Sequence, residues 1–202
     1  MRKEEKTRIS RERILQAAIR EFGENSYEQG SMNSICENNG LSKGLIYHSF
    51  KNKDDLYLCA LRRCTEEMIK YIEEGVYPEG SIKEKVLSVF TRRKEFFDKE
   101  PTLKKLFYYS VYMPPQHLAK ELSDIRRSYL KVITDLMSSF SFRNGVTMDF
   151  VLEYLMLASW MVIRYTLDNT EEHADILSLA EAHEKNMNFF ADSILYGIAE
   201  QE

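Results

Sequence analysis

The fold of this chain is decided by residues 31–53, which read SMNSICENNGLSKGLIYHSFKNK. Ser31 can cap a first short helix, because its hydroxyl can accept an unpaired backbone N–H in the first turn. The run Asn38-Asn39-Gly40 predicts the end of that helix, since Asn and Gly tolerate the left-handed backbone common at helix C-termini. Ser42 then caps a second helix, Lys43 to about Ser49. Two short helices joined by so tight a turn are typical of a helix-turn-helix, whose second helix lies in the DNA major groove.

The second helix of this motif has an apolar face and a polar face. Ile46 and Phe50 are four residues apart, so both are expected to point inward. The outward positions are Lys43, Gly44, Tyr47 and His48. No acidic residue lies between Glu37 and Asp54, and the helix N-terminus behind Ser42 favours an anion such as phosphate. The alternative is a helical hairpin whose basic face is simply solvated.

Pieces on both sides of the motif complete a recognisable pattern. They are RILQAA at 13–18, Phe22, Tyr27, Ser31-Met32, Ile35, GLSKG at 40–44, Ile46-Tyr47, Phe50 and KNKDDL at 51–56. On these residues, the chain from Ile9 to about Leu61 resembles the N-terminal DNA-binding domain of the TetR/AcrR family of bacterial transcriptional regulators. The resemblance implies an all-α protein of about nine helices. It implies a three-helix DNA-binding head over residues 1–54 and a larger helical ligand-binding and dimerisation domain over residues 55–202.

The resemblance also implies which side chains contact DNA. Lys43 is expected to read a guanine edge, because its ammonium can donate to O6 and N7, and Leu45 to contact a thymine methyl group. The others are expected to bind phosphate or to let the backbone approach it. The full set of candidates is Ser31, Ser42, Lys43, Gly44, Leu45, Tyr47, His48 and Lys53. Gly30, Asn39, Leu45 and Ser49 depart from the family pattern, so the operator preference of relatives is not transferred.

Composition and charge bound the remaining possibilities. Of 202 residues, 44% are hydrophobic and 12% aromatic, which is enough for a packed core and argues against disorder. Residues 1–55 carry ten Lys/Arg against nine Asp/Glu, and the whole chain has a net charge of −4. A nearly neutral head limits the salt-dependent part of DNA affinity, so a dimer with two heads is favoured.

The second domain is rich in large, soft side chains. Helical bundles hold small molecules between helices lined by such residues, so a small apolar or aromatic effector is expected. The pocket candidates are Met68, Tyr71, Phe90, Phe97, Phe107, Tyr108, Tyr112, Met156, Trp160, Met161 and Tyr165, all taken as inward positions. The alternative for each of them is that it only packs the core.

The last two long helices are candidates for a dimer interface. The run FVLEYLMLASWM at 150–161 is apolar nearly all round, so it needs cover on more than one side. The resemblance implies that these helices pair with their copies in a four-helix interface, with candidates Phe150, Leu157, Ile176, Leu179, His183, Met187, Phe190 and Ile194. The alternative is burial in the core of a single chain.

Several element boundaries are also predicted. Ser10 is expected to cap the first helix after a mobile tail of residues 1–9, and residues 23–30 are expected to form a loop. The last helix is predicted from about Glu171 to Glu200. No signal peptide and no apolar span of 18 residues is visible, so we expect a cytoplasmic protein that does not enter a membrane.

These observations predict a ligand-responsive, homodimeric DNA-binding regulator, most simply a repressor that a small-molecule effector releases from a double-stranded DNA operator. The four histidines and three cysteines show no metal-binding spacing, and no nucleophile elbow or phosphate loop is present, so no enzyme activity, metal or cofactor is predicted. Two alternatives stay open. One is a helical small-molecule binder or enzyme whose head is only an interaction module; the other is a helical adaptor without an effector.

Overall fold

The computed structural model describes residues 3–75, 81–138 and 145–198, with only the backbone of residues 3, 82, 83, 188, 189 and 191–198. Within these ranges the chain forms nine α-helices, one short 3-10 helix at Gln116–Leu118 and no strand. The helices are α1 Lys3–Gln29, α2 Met32–Asn39, α3 Lys43–Ser49, α4 Lys53–Glu73, α5 Ile82–Lys99, α6 Pro101–Tyr112, α7 Ala119–Met137, α8 Met148–Asp168 and α9 Ile176–Ile198. The all-α prediction is confirmed.

The first helix is longer than predicted at both ends. It begins at Lys3 rather than at Ser10, and residues 23–25 continue it instead of opening a loop. The helix breaks only at Ser26, whose φ of 59° and ψ of −179° lie outside the helical region. Gly23 has a packing role: a Cβ there would lie 2.7 Å from the carbonyl oxygen of Thr102, so the glycine lets α1 approach α6 closely.

Other helices begin directly after a residue whose side chain caps their first turn. The hydroxyl of Ser81 accepts the N–H of Glu84 (3.3 Å) while the Glu84 carboxylate accepts the N–H of Ser81 (2.8 Å), so this reciprocal pair caps the start of α5. Thr147 caps α8 through the N–H of Phe150 (3.2 Å). The predicted start of α9 at Glu171 is wrong, because the carboxylate of Asp175 accepts the N–H of Ser178 (2.8 Å) and fixes the first turn there.

The helices form two compact units. Unit 1 comprises Met1–Glu66 and Glu100–Leu122, and unit 2 comprises Glu67–Lys99 and Ser123–Glu202. The division falls within α4 and α7, and unit 1 contains α6, which packs against α1. A boundary between residues 54 and 55 therefore stays a prediction, since these units divide the chain elsewhere.

The core of unit 1 joins the first four helices. Ile14, Phe22, Ile35 and Ile46 are completely buried, and for Ile46 the apolar spacing predicts this. The ring of Phe22 meets that of Tyr57 edge to face, with centroids 5.2 Å apart. This packing holds α2 and α3 against α1.

The core of unit 2 contains an ion pair. Arg93 is 2% exposed, and its Nη2 donates to a carboxylate oxygen of Glu184 at 2.8 Å. Its Nη1 donates to the hydroxyl of Tyr129 at 3.2 Å. The pair joins α5 to α9, which pack against each other, and α8 packs on α9 as well.

Four of the residues predicted for the dimer interface lie on the inward face of α9. Ile176, Leu179, His183 and Met187 are buried within unit 2 of the single chain, so almost none of their surface is left for a partner. The alternative of burial in the core of one chain holds for these four. Phe190 is half-buried against the ring of Tyr165, and the side chain of Ile194 lies outside the described residues.

We expect Glu184→Gln to lower the free energy of unfolding by roughly 3–5 kcal/mol, because it leaves the guanidinium of Arg93 buried without its counter-charge. Urea unfolding followed by circular dichroism at one protein concentration measures this. Glu181→Gln, three residues away on the exposed side of α9, should change stability by less than about 0.5 kcal/mol. Equal effects of the two substitutions would contradict the role of the pair.

Candidate nucleic-acid interface

Helix α2 is fixed at both ends by local hydrogen bonds. The Ser31 hydroxyl accepts the N–H groups of Asn33 (3.1 Å) and Ser34 (3.5 Å), as the sequence predicted. The backbone N–H of Ser31 donates to the carboxylate of the buried Glu21 at 3.0 Å. At the other end, Gly40 takes a left-handed conformation with φ of 59°. The chain can therefore reverse direction within two residues.

Helix α3 starts directly after this turn. The Ser42 hydroxyl accepts the N–H of Leu45 (3.2 Å), and the N–H of Phe50 closes the helix by donating to the carbonyl of Ile46 (2.8 Å). Ile46 is completely buried and Phe50 is 1% exposed. One side of α3 is thus anchored in unit 1, and the other faces outward.

The exposed side of α3 carries the side chains predicted to meet DNA. Lys43, Gly44 and His48 are exposed, and Tyr47 is 56% exposed although it is a large aromatic residue. A Cβ built on Gly44 would meet no atom within 4 Å, so another molecule can approach the backbone there. Leu45 is half-buried beside them. These residues form a single outward surface, which we call the α3 face: Ser42, Lys43, Gly44, Leu45, Tyr47 and His48.

Lys53 lies apart from the α3 face, at the start of α4. Its ammonium is 4.3 Å from the ring centroid of Tyr27, and the hydroxyl of Tyr27 donates to the Asp54 carboxylate at 2.5 Å. This hydrogen bond, aided by the His117 ring 3.3 Å away, holds the pKa of Asp54 below its usual value. Burial and the Asp54 carboxylate raise the pKa of Tyr27. The contacts hold Lys53 in one place at the N-terminus of α4.

Three arginines of α1 hold the ends of the motif, and the sequence analysis missed them. Arg13 donates to the carbonyl of Asn39 (2.7 Å), and Arg20 donates to the side-chain oxygen of the same residue (2.7 Å). Arg11 donates to the carbonyl of Ser49, and its guanidinium lies 4.1 Å from the ring centroid of Phe50. Cations at helix C-termini satisfy the last carbonyls and oppose the helix dipole. Positions 13 and 20 are seven apart and share a helix face, but no sequence signal identified their partners.

The predicted effector residues are divided between the two units. Phe107, Tyr108 and Tyr112 belong to unit 1, where Tyr108 stacks on Tyr112 with centroids 6.2 Å apart. The remaining candidates, Met68, Tyr71, Phe90, Phe97, Met156, Trp160, Met161 and Tyr165, belong to unit 2. Of these, Met68, Phe90, Phe97 and Met156 are buried. The inward placement of Trp160, Met161 and Tyr165 is wrong for the single chain, because they lie on the outer side of α8.

Helix α8 exposes an apolar surface, which we call the α8 face: Phe150, Leu157, Trp160, Met161 and Tyr165. Each is between 47% and 57% exposed, whereas Val151, Leu155 and Val162 on the opposite side are buried. Both sides of α8 are apolar. By length and composition alone, α8 is therefore apolar enough to cross a membrane, although the sequence predicts no apolar span of 18 residues. One or two helices of this kind are weak grounds for a membrane protein, since core helices of soluble proteins pass the same test.

Residues 14–59 match the family model described as bacterial regulatory proteins, tetR family. The match contains α2, α3 and the start of α4, together with α1 from Ile14 onward, and it begins just after Arg11 and Arg13. It therefore coincides with the part of the chain that builds the α3 face.

Two proteins and one solved structure that are similar to this chain are also regulators. The chain is 23% identical over 125 residues to the fatty acid metabolism regulator protein of Bacillus subtilis, covering 62% of this chain and 64% of that protein. It is 35% identical over 66 residues to the transcriptional repressor AcnR of Corynebacterium glutamicum, covering 33% of this chain and 35% of that protein. The chain thus spans less than two thirds of the length of either relative. The solved structure of the regulator FadR from Bacillus subtilis with stearoyl-CoA shares the fold, with a TM-score of 0.62, 19% identity and coverage of 86% of this chain and 95% of that chain.

We expect Ser31→Ala and Ser42→Ala each to lower the free energy of unfolding by about 1 kcal/mol, because each removes the cap of a very short helix. Thermal and urea unfolding measure the change. Ser34→Ala is the matched control, since Ser34 lies inside α2, where alanine favours the helix. A control as damaging as the cap variants would contradict the assigned caps.

Proposed function

Because this chain belongs to the TetR family of bacterial regulatory proteins, we propose that it is a DNA-binding transcriptional regulator whose helix α3 enters the major groove. The observation that carries the proposal is the α3 face, where Lys43, Tyr47 and His48 are exposed on a helix whose other side is buried. No acidic side chain interrupts this face, so it presents only neutral and basic groups to a polyanion.

Each part of the α3 face has a role in the proposal. Lys43, at the first turn of α3, reads a guanine edge, and Leu45 contacts a thymine methyl group. Tyr47 and His48 bind phosphates beside the groove, and the open surface over Gly44 admits the DNA backbone. Ser31 and Lys53 bind phosphates at the two ends of the motif, with Lys53 held in place by Tyr27.

The regulator acts as a homodimer through the α8 face. Its five large apolar side chains need cover, and a second copy supplies the same surface in a self-complementary contact. Two heads then engage two half-sites about 34–36 Å apart, which compensates for the nearly neutral charge of each head. Phe150 and Leu157 lie within this interface, flanked by Trp160 and Tyr165.

A small-molecule effector with an apolar or aromatic part regulates DNA binding. Its site is lined by apolar side chains of unit 2, namely the buried Met68, Phe90, Phe97 and Met156. FadR from Bacillus subtilis, which shares the fold, was solved in complex with stearoyl-CoA. An effector that binds better to the state whose heads no longer match the half-sites would release the DNA, which makes the protein a repressor. The proposal includes no catalytic step, and it places the protein in the cytoplasm, where DNA and effector meet.

Lys43→Ala and Tyr47→Ala should each weaken specific DNA binding by roughly 10- to 100-fold, because each removes a contact worth about 1–3 kcal/mol from the groove or the phosphates. Duplexes selected from a random library by the wild-type chain serve as probes in a mobility-shift titration. Lys120→Ala, an exposed lysine on α7, is the matched control and should bind normally. Normal binding by both α3 variants would refute the assigned face. A wild-type affinity that does not fall steeply with salt would instead favour a small-molecule binder whose head is an interaction module.

Leu157→Glu should weaken the dimer by roughly a hundredfold or more, because it places an unpaired charge in the middle of the α8 face. Sedimentation equilibrium measures the change, and the loss of DNA affinity should follow it. Met113→Glu is the control: Met113 is also apolar and 48% exposed but lies outside α8, so the dimer should persist. A dimer that survives Leu157→Glu would place the interface elsewhere.

A further inference from the structure

Unit 2 contains an arginine whose charge has no counter-charge among the residues that the structure describes. The side chain of Arg126 on α7 is half-buried, and its Nη1 atom is buried without a hydrogen bond. Within the described ranges, Arg126 makes no ion pair. Buried polar groups in native structures nearly always have partners, and a buried charge without one is costly. Such a group therefore calls for a partner that the described residues do not provide.

The groups around Arg126 do not neutralise it. The nearby Arg93 is already balanced by Glu184 at 2.8 Å. Burial, together with the positive charges of Arg93 and Arg126, holds the pKa of His183 well below its ordinary value, so that its ring is neutral at pH 7. Burial lowers the pKa of Arg126 as well, but an arginine still keeps its proton at neutral pH. Among these groups the charges of Arg93 and Glu184 cancel, and that of Arg126 is left without a counter-charge.

The geometry at Arg126 suits a planar or tetrahedral anion. Its guanidinium lies 4.6 Å from the ring centroid of Trp160, so the indole covers one face of the guanidinium. The N–H groups of a guanidinium point outward in its plane, and there they form the fork that binds carboxylate or phosphate oxygens in pairs. The indole takes the stacked face but leaves the N–H groups on Nη1 unsatisfied, so an acceptor that lies in the guanidinium plane would complete their hydrogen bonding.

We propose that Arg126, stacked on Trp160, binds the anionic group of an amphiphilic effector, a carboxylate or phosphate carried on an apolar chain. The inference rests on the proposed function, because it assigns a chemical class to the effector of that regulator. The charged end of the effector supplies the counter-charge that Arg126 lacks among the described residues.

The only tryptophan of the chain provides a direct test, since Trp160 is in contact with the proposed site. Stearate, stearoyl-CoA and octadecanol are titrated into the full-length protein while its intrinsic fluorescence is recorded. We expect a saturable change with one or both anions and at least a tenfold weaker response with octadecanol. A response to stearate assigns the site to carboxylates, and a response to stearoyl-CoA alone assigns it to phosphates. Equal responses to all three compounds, or no response to any, overturn the proposal.

Arg126→Met removes the charge but keeps much of the side-chain volume. It should weaken binding of the responsive anion roughly 10- to 100-fold, the range for a charge-assisted hydrogen bond. The melting temperature without ligand should stay the same or rise, because a buried unpaired charge is gone. Arg127→Met is the control, since Arg127 pairs with Glu153 at the surface and should leave the titration unchanged. Arg126→Lys keeps the charge without the planar fork, and it tests the same point with intermediate weakening if the methionine variant folds poorly.

Sedimentation and mobility shifts distinguish an anion site from a dimer contact and from a chain that does not bind DNA. If Arg126→Met dissociates the dimer in sedimentation and retains the anion response, the counter-charge comes from a second copy and the proposal is overturned. Release of wild-type protein from the selected duplexes by the anion, but not of Arg126→Met, supports the proposal. If the anion never affects DNA binding, the proposed anion site is refuted but the proposed DNA-binding function is not. If the protein does not bind DNA at all, the proposed function itself is refuted.

Discussion

The position of α3 depends on how the ends of two very short helices are satisfied. Helices of seven and eight residues are not stable alone, because few of their backbone groups have partners within the helix. Here Ser31 and Ser42 satisfy the N-termini, and arginines of α1 satisfy the last carbonyls. Ile46 and Phe50 then fix the rotation of α3 by burial. Side chains that contact DNA are useful only on a helix that is held in this way.

Unit 2 differs in that it contains charged side chains inside an apolar helix bundle. Arg93 and Glu184 neutralise each other, and Arg93 donates a further hydrogen bond to the hydroxyl of Tyr129, so their cost of burial is offset locally. Arg126 has no such partner among the described residues, and it is stacked on Trp160 of the exposed α8 face. The charge of Arg93 is therefore balanced within the chain, whereas that of Arg126 is balanced by no described residue. That contrast distinguishes a structural ion pair from a group that awaits a ligand.

Local signals in the sequence predicted the head well, because its features lie close together along the chain. The caps at Ser31 and Ser42 and the left-handed Gly40 were each identified from the residue type and its neighbours, and the structure confirms them. The arginines of α1 were not identified, since Arg13 and Asn39 are far apart in sequence and only the fold joins them. For α8 and α9 the spacing showed apolar residues but not what covers them. Two sides of α8 are apolar, and only the structure shows that one is buried and the other exposed.

The close approach of α1 and α6 has a consequence for how the chain acquires its structure. Gly23 accommodates Thr102, so the surface of α1 that surrounds Gly23 is completed by a helix some eighty residues further along. Unit 1 is thus discontinuous, and its pairing of distant segments raises the loop-closure cost that slows folding. During synthesis the first three helices would leave the ribosome well before the segment that covers them. The N-terminal segment would then wait, incompletely covered, until α6 has been made.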